Sequence, residues 1–248
     1  MLHLAAAALC IEGARRFPDA GWRSGWLPLL VFPLLYWEVA ILNQGFVSGY
    51  WDPVVMQWEQ AIFGGSPSSE LAARLPWPAL SEVLHLAYLA FYPVIYVPPA
   101  MLFLRGRRAD FITSVVALMA TAGFCYAVFV YFPVQGPRYF GPPEGVPDGP
   151  VRRFVLTVLE SGSSRGAAFP SAHMAITTCQ AVLTVRLQPR MGWLVTAIAI
   201  GLGIGAVYGG FHYGIDMLAG GVVGLGISLT VLRLRMPRGG STPAEASS

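Results

Sequence analysis

Lysine is absent from this chain of 248 residues, and charge of either sign is scarce. Charged residues make up 12% of the sequence and apolar residues 55%, and the sixteen basic residues are all arginine. Because soluble domains carry about 25% charged residues, this composition indicates a membrane protein. The arginines form short clusters between apolar runs, so the net charge of +3 does not indicate a nucleic-acid partner.

Cysteine is also scarce, and Cys10, Cys125 and Cys179 stand alone without C-x-x-C spacing. This spacing argues against a disulfide framework or a zinc site and favours small packing residues. The sequence also lacks a group of carboxylates suited to magnesium, a nucleotide-binding loop and a G-x-S-x-G elbow. We therefore expect no metal and no cofactor.

The chain is instead rich in long apolar runs. A helix crosses a bilayer core of roughly 30 Å with about 20 apolar residues, and an unpaired backbone is too costly in lipid. Six windows qualify: 26–44, 82–104, 111–132, 170–187, 192–210 and 214–234. We predict an all-α, polytopic membrane protein with a six-transmembrane-helix bundle. It forms a single domain over 1–248, with a core at about 26–234 and a flexible cytoplasmic tail at 235–248.

Two longer segments and a glycine pattern complete the predicted architecture. Residues 45–81 are typical of short amphipathic helices at a membrane interface, whereas residues 133–169 are too polar for lipid. Glycines recur at four-residue spacing in the last two spans, at Gly201, Gly205, Gly209, Gly220 and Gly224. Small residues at this spacing let membrane helices approach closely, so we expect tight contact between these two spans.

Arginine distribution predicts the orientation. With a cytoplasmic amino terminus, eleven of the sixteen arginines lie in the inner segments 1–25, 105–110, 186–191 and the tail. The positive-inside rule therefore places both termini in the cytoplasm, and we expect the plasma membrane. No basic residue precedes the short apolar stretch at the start, so a cleaved signal peptide is not expected.

The stretch YGGFHYGIDMLAG, residues 208–220, places His212 and Asp216 four residues apart. On a helix this spacing puts both side chains on one face. The carboxylate then fixes the imidazole tautomer and leaves the other ring nitrogen available. Ionisable groups at a membrane boundary are costly and indicate function. The alternative is a purely structural His–Asp pair.

The stretch FPSAHMA, residues 169–175, opens the fourth predicted span. Pro170 suits a first helical turn, and free N–H groups around Ser171 to His173 are then able to bind an anion. The Ser171 hydroxyl adds a donor, and His173 is able to give or take a proton. The alternative is an ordinary capped helix start with an exposed histidine.

Arg138 lies in YFPVQGPRYFGPP, residues 131–143, within a turn bounded by proline and glycine after the third span. Its guanidinium offers paired donors in one plane, which suits a phosphoryl group, although contact with lipid headgroups is the alternative. In the predicted topology all three stretches open on the outer face. Together they indicate phosphate transfer, and without metal-binding carboxylates we expect metal-independent chemistry.

The order arginine, P-S-x-H and H-x-x-x-D resembles the phosphatidic-acid phosphatase type 2 (PAP2) superfamily of membrane lipid phosphatases and phosphotransferases. The resemblance implies that His212 attacks phosphorus to form a phosphohistidine and that Asp216 orients it. It also implies that His173 protonates the leaving group and then activates the acceptor. Arg138 and Ser171 would bind the phosphoryl oxygens as charge develops.

Three positions depart from the common superfamily pattern: Tyr131 replaces a lysine, Ala172 replaces the glycine of P-S-G-H, and Ala206 replaces the third-motif arginine. The motifs PVQGPRY, FPSAH and HYGID resemble instead the inositol phosphorylceramide synthase branch, also called the inositol phosphotransferase-like or aureobasidin-resistance branch. Similarity extends over about 26–234. Arg165 is a candidate to replace the missing arginine, with a loop contact as the alternative. Tyr139 and Tyr213 are candidates to bind the acceptor or headgroup, with interfacial anchoring as the alternative.

The sequence therefore predicts a multi-pass enzyme that acts on a phospholipid or other lipid phosphate ester at the extracytoplasmic face. The acceptor is water, which makes the enzyme a phosphatase, or an alcohol such as inositol, which makes it a phosphotransferase. The residues leave both open. A lipid transporter or a non-catalytic lipid-phosphate binder with the same fold is the alternative.

Overall fold

The computed structural model describes residue 12 and residues 25–141 and 143–235, and the regular structure there is helical. One isolated parallel bridge joins Val134 to Ala167. The α-helices are α1 (Trp26–Phe46), α2 (Asp52–Phe63), α3 (Pro67–Arg74), α4 (Pro78–Leu89), α5 (Phe91–Leu104), α6 (Arg108–Tyr131), α7 (Pro150–Gly162), α8 (Ala172–Leu187), α9 (Pro189–Tyr208) and α10 (Gly214–Leu234), with a 3-10 helix at Pro137–Phe140. The predicted all-α class is confirmed, while Cys10 and the tail beyond residue 235 lie outside the described residues.

The membrane-crossing helices differ in number from the prediction. In the described ranges four helices, α1, α6, α9 and α10, are long and apolar enough to span a membrane. The predicted span 82–104 is two helices, α4 and α5, bent by 46°, which would make a fifth span if taken together. Pro93 lacks the N–H that would bond to the Leu89 carbonyl, which favours a break there. The count of six spans is not confirmed, because α8 has only 16 residues, or about 24 Å.

Helix α8 is central to the bundle, in contact with α5, α6, α9 and α10. Its buried polar side chains face protein, and the Ser114 hydroxyl of α6 donates to Gln180 Oε1 at 3.3 Å. Thr184 donates back to the Gln180 carbonyl at 2.8 Å. The Ser114–Gln180 bond joins α8 to α6, whereas the Thr184 hydroxyl is satisfied within α8 itself.

The glycines do permit close packing, but between other helices than expected. A side-chain carbon at Gly220 or Gly224 would collide with backbone carbonyls of the Ser171–Ala175 stretch at the start of α8, and one at Gly205 would collide with the Leu84 carbonyl of α4. Helix α10 therefore packs on α8, and α9 packs on α4 and α8. The predicted tight contact between α9 and α10 is wrong, because α8 lies between most of their length.

The two ends of the bundle differ in chemistry. At one end Asp110 pairs with Arg107 and Arg235, and Arg107 Nη1 donates to the Leu187 carbonyl at 2.5 Å. These bonds bring together the start of α6 and the ends of α8 and α10. At the opposite end the Val134 N–H donates to the Gly166 carbonyl at 3.1 Å, which places the arginine motif beside FPSAH.

Candidate active site

His212 and Asp216 are paired at the start of α10. Asp216 Oδ2 lies 3.3 Å from His212 Nδ1 and accepts the backbone N–H of Tyr213 at 2.9 Å. Asp216 is the third residue of α10, where its carboxylate caps the helix N-terminus and faces the positive end of the helix dipole. The spacing of four had suggested that both side chains lie on one helical face. His212 instead precedes α10, and the pair forms because Asp216 caps the start of that helix.

The turn between α9 and α10 holds His212 in place. Gly210 has φ +71°, a left-handed conformation that favours glycine. The Ala206 carbonyl accepts the N–H groups of Phe211 at 2.9 Å and of His212 at 3.3 Å. Ala206 is fully buried, so the position that commonly carries the third-motif arginine is a packing position in this chain.

Ser171 links the second and third motifs. As the N-cap of α8, its hydroxyl oxygen accepts the Met174 N–H at 3.3 Å, and it lies 3.4 Å from His212 Nε2. Its own N–H donates to the Asp216 carbonyl at 3.0 Å. The Ser171 N–H is thus already bonded, contrary to the expected free donor, and Pro170 lies before the cap. With Nδ1–H assigned towards Asp216, the Nε2 lone pair faces the Ser171 hydroxyl.

His173 lies in the first turn of α8 and faces the bend between α4 and α5. Its ring stacks on Tyr88 with 5.0 Å between centroids and lies 4.3 Å from the Phe91 ring. The Tyr88 hydroxyl is 3.4 Å from His173 Nε2. The centroids of His173 and His212 are 6.0 Å apart with the rings edge to face, so the two imidazoles are neighbours in the site.

Arg138 reaches the same place from the loop after α6. Its guanidinium lies over the Tyr139 ring, 4.9 Å from the centroid, and Nη2 donates to the Leu159 carbonyl at 3.4 Å. Arg138, His173 and His212 line one pocket, which encloses about 340 Å³ including its opening. Ser164 lines it as well, and its buried hydroxyl has no hydrogen-bond partner among the described residues. The pocket therefore combines a cation, two imidazoles and an uncommitted hydroxyl.

A second, apolar groove adjoins this pocket and shares His173 with it. It encloses about 810 Å³ including its opening, and its walls come from α1, α5, α6, α7 and α8. Aromatic side chains dominate, among them Phe32, Tyr92 and Tyr126. An apolar groove that meets a polar pocket at a histidine suits an amphiphilic molecule.

Burial controls the protonation of His212. It lowers the pKa of His212 from the ordinary value of 6.5 to about 4; the Ala168 carbonyl opposes the effect and the charge of Arg138 adds to it. The imidazole is therefore neutral at pH 7, with Nε2 able to act as a nucleophile.

Three predicted substrate residues have other contacts. The Arg165 guanidinium is exposed, donates twice to Gln135 Oε1 at 2.8 and 2.6 Å, and is absent from the pocket lining. Tyr139 does line the pocket, and its ring also faces Arg165. Tyr213 is buried, and burial, followed by the Asp52 carboxylate, raises its pKa; the phenol donates to Asp52 Oδ1 at 3.1 Å.

Sequence reasoning missed several residues near the site. Asp52 and Glu59 are buried carboxylates seven positions apart on α2, a spacing that places both on one helix face. That spacing was visible in the sequence and indicated a shared helix face. No sequence pattern indicated Tyr88 or Ser164, because a bent helix pair and a loop bring them to the pocket.

Among the described residues, no group of three or more His, Cys, Asp or Glu side chains is arranged to hold a metal ion. Metal independence stays a prediction, and the assay below tests it with a chelator.

The fold is that of a helical integral-membrane protein, with the polar site at one end of its bundle. A sequence profile of the PAP2 superfamily matches residues 54–230, and the chain belongs to that superfamily. The profile describes the superfamily and does not confirm the inositol phosphotransferase branch.

Human Proteolipid protein 2 is 36% identical over 76 residues, which cover 31% of this chain and 47% of that protein. The chain thus matches about half the length of this curated relative. No solved structure matches the chain.

Proposed function

We propose that the protein is an integral-membrane lipid phosphatase or phosphotransferase that forms a phosphohistidine at His212. The observation that carries the proposal is the position of His212. Its Nδ1 is paired with Asp216, and it lines one pocket with Arg138 and His173. This is the arrangement expected of an oriented nucleophile, an acid–base residue and a cation for the transferred group.

In the first step, His212 Nε2 attacks phosphorus, and the N–P bond forms as the ester P–O bond breaks. His173, which is half-buried and neutral in the free protein, takes up the proton of the bound phosphate monoester and donates it to the departing oxygen. The phosphorylated imidazole retains Nδ1–H and carries a positive charge, which the Asp216 carboxylate stabilises at the cap of α10. The lipid leaves as an alcohol.

In the second step, His173 takes a proton from the acceptor hydroxyl. The acceptor oxygen attacks phosphorus, the N–P bond breaks, and His212 returns to its neutral form. Water as acceptor gives inorganic phosphate, whereas an alcohol such as inositol gives a new phosphate ester. The same residues serve both outcomes, so the acceptor depends on what enters the pocket.

The phosphoryl oxygens gain charge in both steps and require preorganised donors. Arg138 supplies a guanidinium, and the Ser171 hydroxyl turns from His212 Nε2 to a phosphoryl oxygen when the group binds. The Ser164 hydroxyl supplies a further donor from the pocket wall, which offsets the absence of an arginine at Ala206. Tyr139 borders this pocket and contacts the headgroup.

The adjoining apolar groove supports a lipid substrate, because acyl chains are able to lie there while the headgroup reaches His173. The arginine-rich end of the bundle lies away from the site, so the positive-inside rule supports an extracytoplasmic site and cytoplasmic termini. PVQGPRY, FPSAH and HYGID support the inositol phosphotransferase-like branch.

The test uses purified protein in detergent–lipid micelles with EDTA, and a panel of phosphatidic acid, ceramide phosphate and phosphatidylinositol, with and without labelled inositol. Wild-type protein is expected to cleave a phosphoester and to give an acid-labile phosphoprotein, and His212→Ala to give neither. Label in a new phosphate ester identifies a transferase, and free phosphate a phosphatase. Intact lipids throughout, with folded protein, would instead support a transporter or a non-catalytic binder.

A further inference from the structure

Helix α2 carries two buried carboxylates that face separate loops of the candidate site. Asp52 is 2% exposed and Glu59 is 4% exposed, although α2 lies outside the helices that cross the membrane. Buried carboxylates are costly unless several donors satisfy them. Their hydrogen-bond partners are therefore informative.

Asp52 holds the loop that carries Arg138. Its Oδ2 accepts the backbone N–H of Gln135 at 2.9 Å, and its Oδ1 accepts that of Gly136 at 2.9 Å. Gly136 has φ +90°, so this loop has a conformation that few residues adopt. The carboxylate fixes the two peptide units directly before Pro137 and Arg138.

Glu59 holds the start of α10. Its Oε1 accepts the Gly214 N–H and its Oε2 the Ile215 N–H, each at 2.9 Å. These are the first two amides of the helix, and they lie between His212 and Asp216 in the chain. Glu59 thus satisfies helix-end donors that Asp216 does not reach.

Asp52 also contacts the second loop through Tyr213, whose hydroxyl donates to Asp52 Oδ1 at 3.1 Å. One face of α2 therefore binds four backbone amides and one phenol, spread over the two loops. Val55 lies between the carboxylates and is fully buried against the same region.

We propose that α2 is a positioning clamp: Asp52 sets the Arg138 loop and Glu59 sets the His212–Asp216 corner, so that both face one phosphoryl group. The kinetic consequence of this inference rests on the proposed function. The structural part, that each carboxylate orders its own loop, is independent of that function.

A carboxylate is required because both of its oxygens accept. In Asp52→Asn or Glu59→Gln, one oxygen becomes an NH₂ group that faces a backbone N–H, so one bond is lost and two donors oppose each other. Glu82 is a matched control, because its oxygens accept the Val151 and Arg152 amides at 2.8 and 3.2 Å at the start of α7. Glu82→Gln makes the same chemical change at a helix start that carries no motif residue.

Hydrogen exchange measured by mass spectrometry in lipid nanodiscs tests the structural part. Asp52→Asn is expected to speed exchange at residues 133–140 by about tenfold, with a smaller effect at residues 209–216, because the amide oxygen still accepts the Tyr213 hydroxyl when it occupies the Oδ1 position. Glu59→Gln is expected to speed exchange at residues 209–216 by about tenfold and to leave residues 133–140 nearly unchanged. Glu82→Gln should affect only the start of α7. Asp52→Glu and Glu59→Asp, which keep the charge, provide the same comparison if an amide variant fails to fold.

Steady-state cleavage of dioctanoyl phosphatidic acid tests the positioning part. Displacement of the Arg138 loop should raise KM in Asp52→Asn, whereas displacement of His212 should lower kcat in Glu59→Gln, each by roughly tenfold or more. Glu82→Gln should leave both constants unchanged. If the carboxylates only stabilised the fold, all three variants would contain less active protein, and KM and kcat would not respond separately to Asp52→Asn and Glu59→Gln.

The clamp is overturned if each amide variant leaves exchange in its own loop unchanged, or if exchange rises equally across the bundle. Equal kinetic effects of Glu82→Gln and Glu59→Gln would also overturn it. An inactive wild type counts against the proposed function instead, while the exchange data still decide the clamp.

Discussion

Replacement of Asp216 by asparagine separates the charge of this side chain from its shape. In Asp216→Asn the amide side chain keeps an oxygen where Oδ2 accepts the Tyr213 N–H at 2.9 Å and faces His212 Nδ1 at 3.3 Å. The cap of α10 should therefore survive. The negative charge that would stabilise a phosphorylated, cationic imidazole is lost.

The size of the effect follows from this one bond. A hydrogen bond to a charged group contributes about 1.5–3 kcal/mol. If that energy is realised only when His212 becomes cationic, its loss lowers kcat by roughly 10- to 100-fold. The melting temperature should move by less than about 5 °C, because the capping acceptor remains.

The assay is turnover of phosphatidic acid beside thermal unfolding of the same preparation. Asp148→Asn is a suitable control, since Asp148 is a half-exposed carboxylate that also pairs with basic side chains, Arg152 and Arg153. Full turnover by Asp216→Asn would refute the role of the charge. Loss of turnover together with a collapsed melting temperature would refute the claim that asparagine preserves the cap.

Two further predictions concern the same pocket. Ser164→Ala should raise KM by roughly 2- to 10-fold, because the substrate loses a hydrogen-bond donor. The melting temperature should stay unchanged, because the buried hydroxyl has no partner in the described structure to lose. Ser161→Ala on α7 is the control, and an unchanged KM in Ser164→Ala would remove Ser164 from the site. The pKa of His212 is lowered by burial from 6.5 to about 4, so between these values the unfolded chain binds a proton that the native protein does not. The stability from neutral His212 is fully present above about pH 6.5 and decreases by up to about 3 kcal/mol as pH falls to 4. The melting temperature of the wild type should therefore fall more than that of His212→Ala between pH 7 and about 4.5. Equal decreases would contradict a lowered pKa for His212.

Part of the candidate site was predictable from residue type and spacing, but its geometry was not. Arg138, His173 and His212 were identified from residue type and spacing, and the structure brings them to one pocket. Arg165 has the same charge as Arg138, yet it binds Gln135 outside the pocket. Residue type indicates what a side chain is able to bind, whereas the direction of its loop decides what it reaches.

The helical pattern shows the same division. Apolar length alone identified α1, α6, α9 and α10, because a membrane span depends on local composition. It did not predict the break between α4 and α5. The predicted window 170–187 matches α8, but a helix of 16 residues is not confirmed as a span. A break within a span depends on local backbone hydrogen bonds and on packing against neighbouring helices, which apolar length does not record.

By itself, the sequence determined that the protein is an all-helical membrane protein with an arginine, two histidines and an aspartate in recognisable motifs. Composition and short-range spacing carry that information. The tertiary structure decided that Tyr88 stacks on His173, that Ser171 faces His212, and that α2 binds both site loops. These contacts join residues far apart in the chain, and only the packing of the helices brings such residues together.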